Sequence, residues 1–306
     1  MMTNHSLLSA YFGYCALQKN LDAKTLKAYR TDLEQFSGCH PHLVDVSRAD
    51  MERYIEQLMR HWKVSTVKRK IASLKAFYSY LVYEDFLKHS PFDKIQLRIR
   101  QESLLPRTID RGTLASIFSA AYAELRAARS RSARMIALRD VAVLELLFAS
   151  GVRVSELCSI TCDRLNLDEQ VVLIHGKGNK ERRIYLSSAA VINALLAYSA
   201  VRTPRKDGEP FFFLNRDGRR LSEQSVRRII DRCTKLTGQP GHFTPHMFRH
   251  SFATYLWDAC GDLYEVKEIL GHSSIKTTER YVHAGFERQK KVLSAMHPRE
   301  NLKFRT

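Results

Sequence analysis

Apolar side chains in the first hundred residues recur every three or four positions, the spacing that places them on one face of an α-helix. Leu7, Tyr11 and Tyr14 belong to the first such series, and Leu26 and Leu33 belong to the second. The pattern in this region indicates helices alone. We therefore expect a small, all-helical domain at this end of the chain.

Polar residues in front of the apolar series mark where helices begin. Asp22 precedes the second series, and Ser47 is followed three residues later by Asp50. Both positions are typical of an N-cap, whose side-chain oxygen accepts a hydrogen bond from a backbone N–H of the first turn. A longer apolar series predicts a further helix over 65–83.

The polar face of this longer helix is basic and includes Lys68, Arg69 and Lys75. Such a face is either simply solvated or in contact with phosphates. The chain as a whole has 49 Lys and Arg residues against 32 Asp and Glu residues, a formal net charge of +17. A nucleic acid is the first partner that this excess suggests, although basic surfaces also serve solubility. We name the three residues as candidate DNA contacts.

The rest of the chain combines helical patterns with one pair of strands. Residues 171–175 and 182–186 are rich in Val, Ile and Leu and flank the turn residues 176–179, which predicts a β-hairpin. Helical patterns occupy 110–128, 133–149, 189–201, 222–236, 245–259 and 263–270. The predicted fold is mostly α, with a helical N-terminal domain and an α+β C-terminal domain.

A basic stretch between Pro91 and Pro106 has the composition of a linker. We place the N-terminal domain at 1–100, the linker at 101–108 and the second domain at 109–306.

The segment 122–135 contains Arg126, Arg129, Arg131 and Arg134. It is either an extended exposed helix or an added DNA contact, and the sequence pattern fits both.

The cysteines and the apolar stretches bear on the cellular compartment. None of the six cysteines forms a C-x-x-C pair, and Cys158 and Cys162 lack a matching pair of histidines. We therefore expect no zinc and interpret the cysteines as thiols in a reducing cytoplasm. The N-terminus lacks the pattern of a signal peptide, and the longest apolar stretch, 141–149, is too short to cross a bilayer. These patterns favour a cytoplasmic protein without a membrane segment.

Four short segments carry residues suited to phosphodiester chemistry. They are ASGVRVSEL (149–157), HGKGNKER (175–182), TPHMFRH (244–250), and LGH (270–272) followed nine residues after its histidine by Tyr281. Each residue alone has an ordinary structural explanation, such as an ion pair between Arg153 and Glu156. The joint occurrence of the segments in this order outweighs those explanations.

Cleavage of a phosphodiester by a protein side chain sets three requirements. Negative charge grows on the non-bridging oxygens, and guanidinium groups hold such oxygens with forked, charge-assisted hydrogen bonds. A nucleophile must attack in line with the bond that breaks, and the departing oxygen must receive a proton. Two arginines, a lysine, two histidines and a tyrosine in these segments meet the three requirements.

Together the segments resemble the tyrosine recombinase family, which includes phage integrases, Xer-type recombinases and integrases of mobile elements. The stretch TLKAYRTDL at 25–33 is similar to the helical, SAM-like core-binding domain of that family. The resemblance runs through almost the whole chain. It implies a core-binding domain followed by an α+β catalytic domain, and a DNA strand-exchange activity that uses neither metal nor ATP and has no cofactor.

The resemblance implies a role for each residue of the first three segments. Arg153 and Arg249 would clamp the scissile phosphate, and Lys177 would be the general acid for the leaving 5′ oxygen. His246 would assist as an acid or base and as a phosphate ligand. Glu156 occupies the family's acidic position, where it would support Arg153 or His246 without taking part in the chemistry.

The last segment supplies the nucleophile in the same comparison. Tyr281 would form a 3′-phosphotyrosine, and His272 would donate a hydrogen bond to the phosphate. The covalent intermediate keeps the energy of the broken phosphodiester, so a new DNA end reseals it without ATP. Lys180 and Arg182 are interpreted as contacts to the DNA backbone.

The resemblance also implies how the enzyme assembles. Its partner would be double-stranded DNA with an inverted-repeat core site, bound by a homo-tetramer that exchanges strands through a Holliday junction. A C-terminal helix near 286–298 would be exchanged between subunits, and accessory DNA-bending proteins are further candidate partners. Integration, excision and dimer resolution all remain open. A type IB topoisomerase-like enzyme and a non-catalytic DNA-binding regulator are the alternatives, which the helical N-terminal domain and the complete catalytic set respectively disfavour.

Overall fold

The computed structural model describes residues 3–97, 99, 107–176, 181–204, 209–271 and 278. The chain divides into two compact units, Met1–Ser103 and Leu104–Thr306, each with its own hydrophobic core. Helices dominate the described part of both units, and the second unit adds a small antiparallel sheet. None of the helices in these ranges is long and apolar enough to span a membrane.

The first unit contains four α-helices and a short 3-10 helix, Leu43–Asp45, among its described residues. The α-helices are α1 (Asn4–Leu17), α2 (Ala23–Cys39), α3 (Arg48–His61) and α4 (Val64–Tyr83). The predicted helix starts are confirmed: Asp22 accepts a hydrogen bond from the Thr25 backbone N–H at 2.9 Å. Ser47 and Asp50 form a reciprocal capping box. Caps of this kind each stabilise a helix by about 1 kcal/mol.

A buried charge network joins α2 to α4 inside this unit. The Asp32 carboxylate is buried and accepts hydrogen bonds from Lys70 Nζ at 3.1 Å and Ser73 Oγ at 3.2 Å. Arg69 also pairs with it. Lys70 is itself buried, so the pair compensates two charges that have lost their water.

The second unit is built around α6. Its described elements are α5 (Arg111–Ala127), α6 (Arg131–Ser150), α7 (Val154–Cys158), β1 (Leu165–Asn166), β2 (Val171–His175), β3 (Glu181–Tyr185), α8 (Ala189–Ser199), α9 (Glu223–Leu236), α10 (Pro245–Cys260) and α11 (Leu263–Leu270). Helix α6 packs against α5, α8 and α10, and its apolar residues Val143, Leu144 and Leu147 are completely buried. A helix that is apolar around most of its circumference belongs at the centre of a domain.

The predicted hairpin is confirmed, with Val172 of β2 opposite Ile184 of β3. Two short elements were not predicted from the sequence. They are β1, which pairs with β2, and α7. Both are too short to show a hydrophobic period. The segment 122–135 is not one extended helix, because α5 ends at Ala127 and Ser130 caps a new helix.

Candidate active site

The first arginine of the candidate site follows a sharp turn at the end of α6. Gly151 ends that helix with a left-handed φ of 58°, a conformation that glycine adopts without strain. The chain then enters α7 with Arg153 at the N-cap position. Arg153 Nη1 donates to Glu156 Oε1 at 2.7 Å, and its backbone N–H donates to Oε2 at 2.8 Å. The Arg153 side chain remains 36% exposed, so its guanidinium is accessible to a ligand.

The same carboxylate receives a second arginine from β3. Arg182 donates through Nη1 and Nη2 to the two oxygens of Glu156, at 3.2 and 2.8 Å. Its Nε donates to the Ile269 carbonyl oxygen at 3.2 Å. The Arg182 side chain is only 13% exposed. The structure thus directs Arg182 into the protein, against α7 and α11. A contact to the DNA backbone, as expected from the sequence, would need its guanidinium at the surface.

Glu156 is buried between these two cations. Burial alone would raise the pKa of its carboxyl, but the hydrogen bonds and charges of Arg182 and Arg153 outweigh burial, and the pKa lies below its usual value. The carboxylate is therefore ionised at neutral pH. Two positive charges around one negative charge leave a net single positive charge at this corner of the site.

The second predicted clamp residue, Arg249, lies in the first turns of α10 and is buried. Its Nη1 donates to the carbonyl oxygen of Gly151 at 2.6 Å, and its Nη2 donates to the carbonyl oxygen of Leu270 at 2.7 Å. These carbonyls lie at the C-terminal ends of α6 and α11, where the helix dipole is negative. Arg249 therefore holds two helix ends together beside the α7 turn.

His246 lies one helical turn before Arg249 on the same helix and is exposed. Partial loss of hydration, and then the positive charges of Arg249, Arg227 and Arg153, lower the pKa of the imidazole below its usual value, while Glu223 opposes them. The imidazole is neutral at physiological pH and can accept a proton. Arg227, on α9, was not singled out from the sequence, because its α9 neighbours show only a generally basic pattern.

The remaining catalytic candidates, Lys177, His272 and Tyr281, lie outside the described residues. The residues that directly precede Lys177 and His272, Gly176 and Gly271, are described. At the strand pair next to the hairpin turn, His175 Nδ1 and Arg164 Nη1 each lie 3.1 Å from Glu181 Oε1.

The other candidate DNA contacts fall into two groups. Lys180 and the predicted C-terminal helix at 286–298 are outside the described residues. Lys68, Arg69 and Lys75 are exposed on α4. Arg69 is exposed but also forms an ion pair with buried Asp32. Lys75 Nζ lies 5.6 Å from the centre of the Phe92 ring.

Comparison with known proteins decides the family. The model of the phage integrase family matches residues 120–288, and the model of its N-terminal SAM-like domain matches residues 8–85. A curated protein named tyrosine recombinase, from Agathobacter rectalis, is 41% identical over 301 residues that cover 97% of this chain and 98% of that protein. The chain belongs to the phage integrase family of tyrosine recombinases.

Solved structures of other tyrosine recombinases share the fold. The post-cleavage complex of the XerH recombinase with palindromic difH superimposes with a TM-score of 0.73 at 22% identity, covering 94% of this chain and 84% of that chain. A lambda integrase tetramer bound to a Holliday junction gives a TM-score of 0.71 at 17% identity, covering 92% of this chain and 77% of that chain. The predicted fold class is confirmed.

Proposed function

We propose that this chain is a site-specific DNA recombinase that cleaves and rejoins DNA through a 3′-phosphotyrosine at Tyr281. The observation that carries the proposal is the meeting of Arg153, Arg249 and His246, which come from separate segments of the sequence. Two guanidinium groups beside a neutral imidazole suit a phosphate that gains charge in its transition state. Membership of the tyrosine recombinase family supports this reaction class.

In the cleavage step, the Tyr281 oxygen forms a bond to phosphorus while the bond from phosphorus to the 5′ oxygen breaks. Arg153 and Arg249 stabilise the charge on the non-bridging oxygens. Lys177 gives a proton to the departing 5′ oxygen, and His246 accepts the phenolic proton. The lowered pKa of His246 fits that task, because only the neutral ring can accept a proton.

In the rejoining step, the 5′ hydroxyl of a second strand attacks the phosphotyrosine and releases Tyr281. One phosphodiester replaces another, so the exchange needs no ATP. His272 donates a hydrogen bond to the phosphate in both directions. Two pairs of such exchanges, one pair before and one pair after a Holliday junction, recombine two duplexes.

The partner is double-stranded DNA with an inverted-repeat core site, which a net charge of +17 favours electrostatically. Lys68, Arg69, Lys75 and Lys180 are the proposed backbone contacts. We place four copies on the synapsed DNA, as the tetramer of lambda integrase on a Holliday junction suggests. The helix at 286–298 is exchanged between those copies. The reaction takes place in the cytoplasm, with accessory DNA-bending proteins as candidate helpers.

Covalent trapping tests the proposal and identifies the DNA site together. The full chain is incubated with sheared genomic DNA from the organism that encodes it, adducts are isolated under denaturing conditions, and the attached DNA is sequenced. A synthetic duplex of the recovered site, nicked close to the cleaved bond, then loses its short leaving strand and traps the adduct. The wild type is expected to become covalently attached, and Tyr281→Phe is not.

Two further outcomes decide against the proposal. An adduct that persists in Tyr281→Phe would overturn the assignment of the nucleophile. Relaxation of supercoiled plasmids that lack the site, without recombination of plasmids that carry two copies, would show a topoisomerase in place of a recombinase.

A further inference from the structure

Arg182 has a set of partners that connects three separate parts of the second unit. It extends from β3, which follows the hairpin segment containing Lys177. Its terminal nitrogens bind the Glu156 carboxylate on α7, and its Nε binds the Ile269 carbonyl oxygen on α11. Each of its three nitrogen atoms thus donates to an acceptor within the protein. A side chain with this set of bonds is fixed in direction and has little surface left for DNA.

Glu156 is shared between Arg182 and Arg153. Four hydrogen bonds reach its carboxylate, two from each arginine. Because Arg182 occupies one side of the carboxylate, Arg153 makes one side-chain bond and one backbone bond to it. Without Arg182, the buried carboxylate would be free to form a two-pronged pair with the Arg153 guanidinium. Such a pair has no net charge and turns the guanidinium away from a phosphate.

We infer that Arg182 is a positioning residue, which holds Glu156 so that the guanidinium of Arg153 stays turned toward the scissile phosphate. The inference rests on the proposed function, because it presumes that Arg153 binds that phosphate. It replaces the interpretation of Arg182 as a contact to the DNA backbone.

Gly271 supports the same inference from the other side of Arg182. This residue has a φ of 63°, and a Cβ placed on it would lie 2.9 Å from both Cδ and Nη1 of Arg182. The guanidinium therefore packs directly on the turn that ends α11. His272 follows that turn in the sequence. Arg182 thus ties the α7 corner and the end of α11 to one strand.

The test compares cleavage with binding, using synthetic duplexes of the site recovered by covalent trapping. The nicked duplex serves for cleavage and the intact duplex for binding. Adduct formation is followed in single turnover at saturating protein, so that the rate reports on the bound complex. Affinity for the intact duplex is measured between 50 and 200 mM salt, concentrations over which phosphate contacts are strongly weakened. The variants are Arg182→Gln, Arg182→Lys, Glu156→Gln and the double variant Arg182→Gln/Glu156→Gln. The matched control is Arg183→Gln, an exposed arginine on the opposite face of the same strand.

Arg182→Gln is expected to lose about 10- to 100-fold in cleavage rate while its affinity and salt dependence match those of the wild type. Arg182→Lys keeps the charge and should lose less. Arg183→Gln should cleave at the wild-type rate once bound. The double variant should cleave faster than Arg182→Gln, because removal of the carboxylate charge releases Arg153. Because removal of this buried charge would also relieve a structural defect, cleavage rates are compared at temperatures where chemical unfolding shows every variant to be folded.

Two results would overturn the inference. Normal cleavage by bound Arg182→Gln, with weaker binding and a salt slope reduced by about one unit, would show a phosphate contact. A double variant that is folded but slower than Arg182→Gln would show that the Glu156 carboxylate does not turn Arg153 away from the phosphate when Arg182 is lost. Failure of the wild type to form any adduct is a different outcome, because it overturns the proposed function itself.

Discussion

The Arg249 guanidinium donates to the carbonyl oxygen of Gly151 at 2.6 Å, which joins two residues 98 positions apart in the chain. Gly151 is the C-cap residue of α6 and precedes Arg153 by two positions. The bond therefore fixes the distance between the two segments that carry the proposed phosphate clamp. One side chain serves both the stability of the unit and the geometry of its site.

The two arginines of the proposed phosphate clamp should differ in their effect on stability. Arg249→Lys cannot keep both buried carbonyl bonds and should destabilise the second unit by about 2–3 kcal/mol. Arg153→Lys, at a partly exposed position, should cost less than about 1 kcal/mol. Both variants should lose about 100-fold or more in cleavage. Urea unfolding is followed by tryptophan fluorescence in a Trp62→Phe background, where Trp257 reports on the second unit. Equal destabilisation by Arg249→Lys and Arg153→Lys would contradict the assigned geometry.

A methyl group at Gly151 should disturb the site. Its φ of 58° is strained for alanine by about 1–2 kcal/mol. The new Cβ would also press on the Phe252 ring and lie 2.9 Å from Leu270. Gly151→Ala should therefore lower the free energy of unfolding by about 2–4 kcal/mol. The control is Gly13→Ala in α1, where a Cβ meets open space; it should be neutral or stabilising by up to about 1 kcal/mol. Urea unfolding measures both, and equal effects would refute the explanation.

Loss of Asp32 should unfold the first unit more readily. Asp32→Ala leaves the ammonium of buried Lys70 without its carboxylate, which costs about 3–5 kcal/mol. Arg48→Ala removes only an exposed pair with Glu52 and should cost less than about 0.5 kcal/mol. Trp62, whose ring centre lies 5.2 Å from Lys70 Nζ, reports the unfolding of this unit. A difference of less than 1 kcal/mol between the variants would show that the network is not stabilising.

His246 should make the stability of the second unit depend on pH. Its pKa in the folded state lies below the usual value of about 6.5. The unfolded chain therefore binds more protons at this residue as the pH falls below about 6.5, which favours unfolding. His246→Gln lacks this effect, so its stability relative to wild type should be greater at pH 5 than at pH 7.5. Chemical unfolding at the two pH values measures the difference, and a relative loss at pH 5 would reverse the assigned direction.

The candidate DNA contacts on α4 should appear in the salt dependence of binding. Lys68→Ala should weaken binding to the trapped site and reduce the slope of log affinity against log salt by about one unit. Arg48→Ala should leave the slope unchanged, because Glu52 already compensates that charge. Binding titrations at several salt concentrations decide this. An unchanged slope in Lys68→Ala would show that this face of α4 is merely solvated.

The sequence by itself determined the helices, the hairpin and the family. Helix periodicity and caps such as Asp22 and Ser47 act within a few residues, so they can be seen in the linear pattern. The roles proposed for Arg153 and Arg249 rest on motifs that resemble those of the tyrosine recombinase family. These signals are local, and folding does not alter them.

Only the tertiary structure decided what surrounds each of these residues. The sequence indicated that Arg182 points to DNA, whereas the fold directs it to Glu156 and Ile269 on two other elements. The sequence also does not show that Arg249 binds the carbonyl oxygens at the ends of α6 and α11. Ion pairs and backbone hydrogen bonds between distant segments depend on how helices pack, and no spacing along one segment encodes them. A buried charged side chain turns toward an acceptor that can compensate its lost hydration, and that acceptor is known only once the chain has folded.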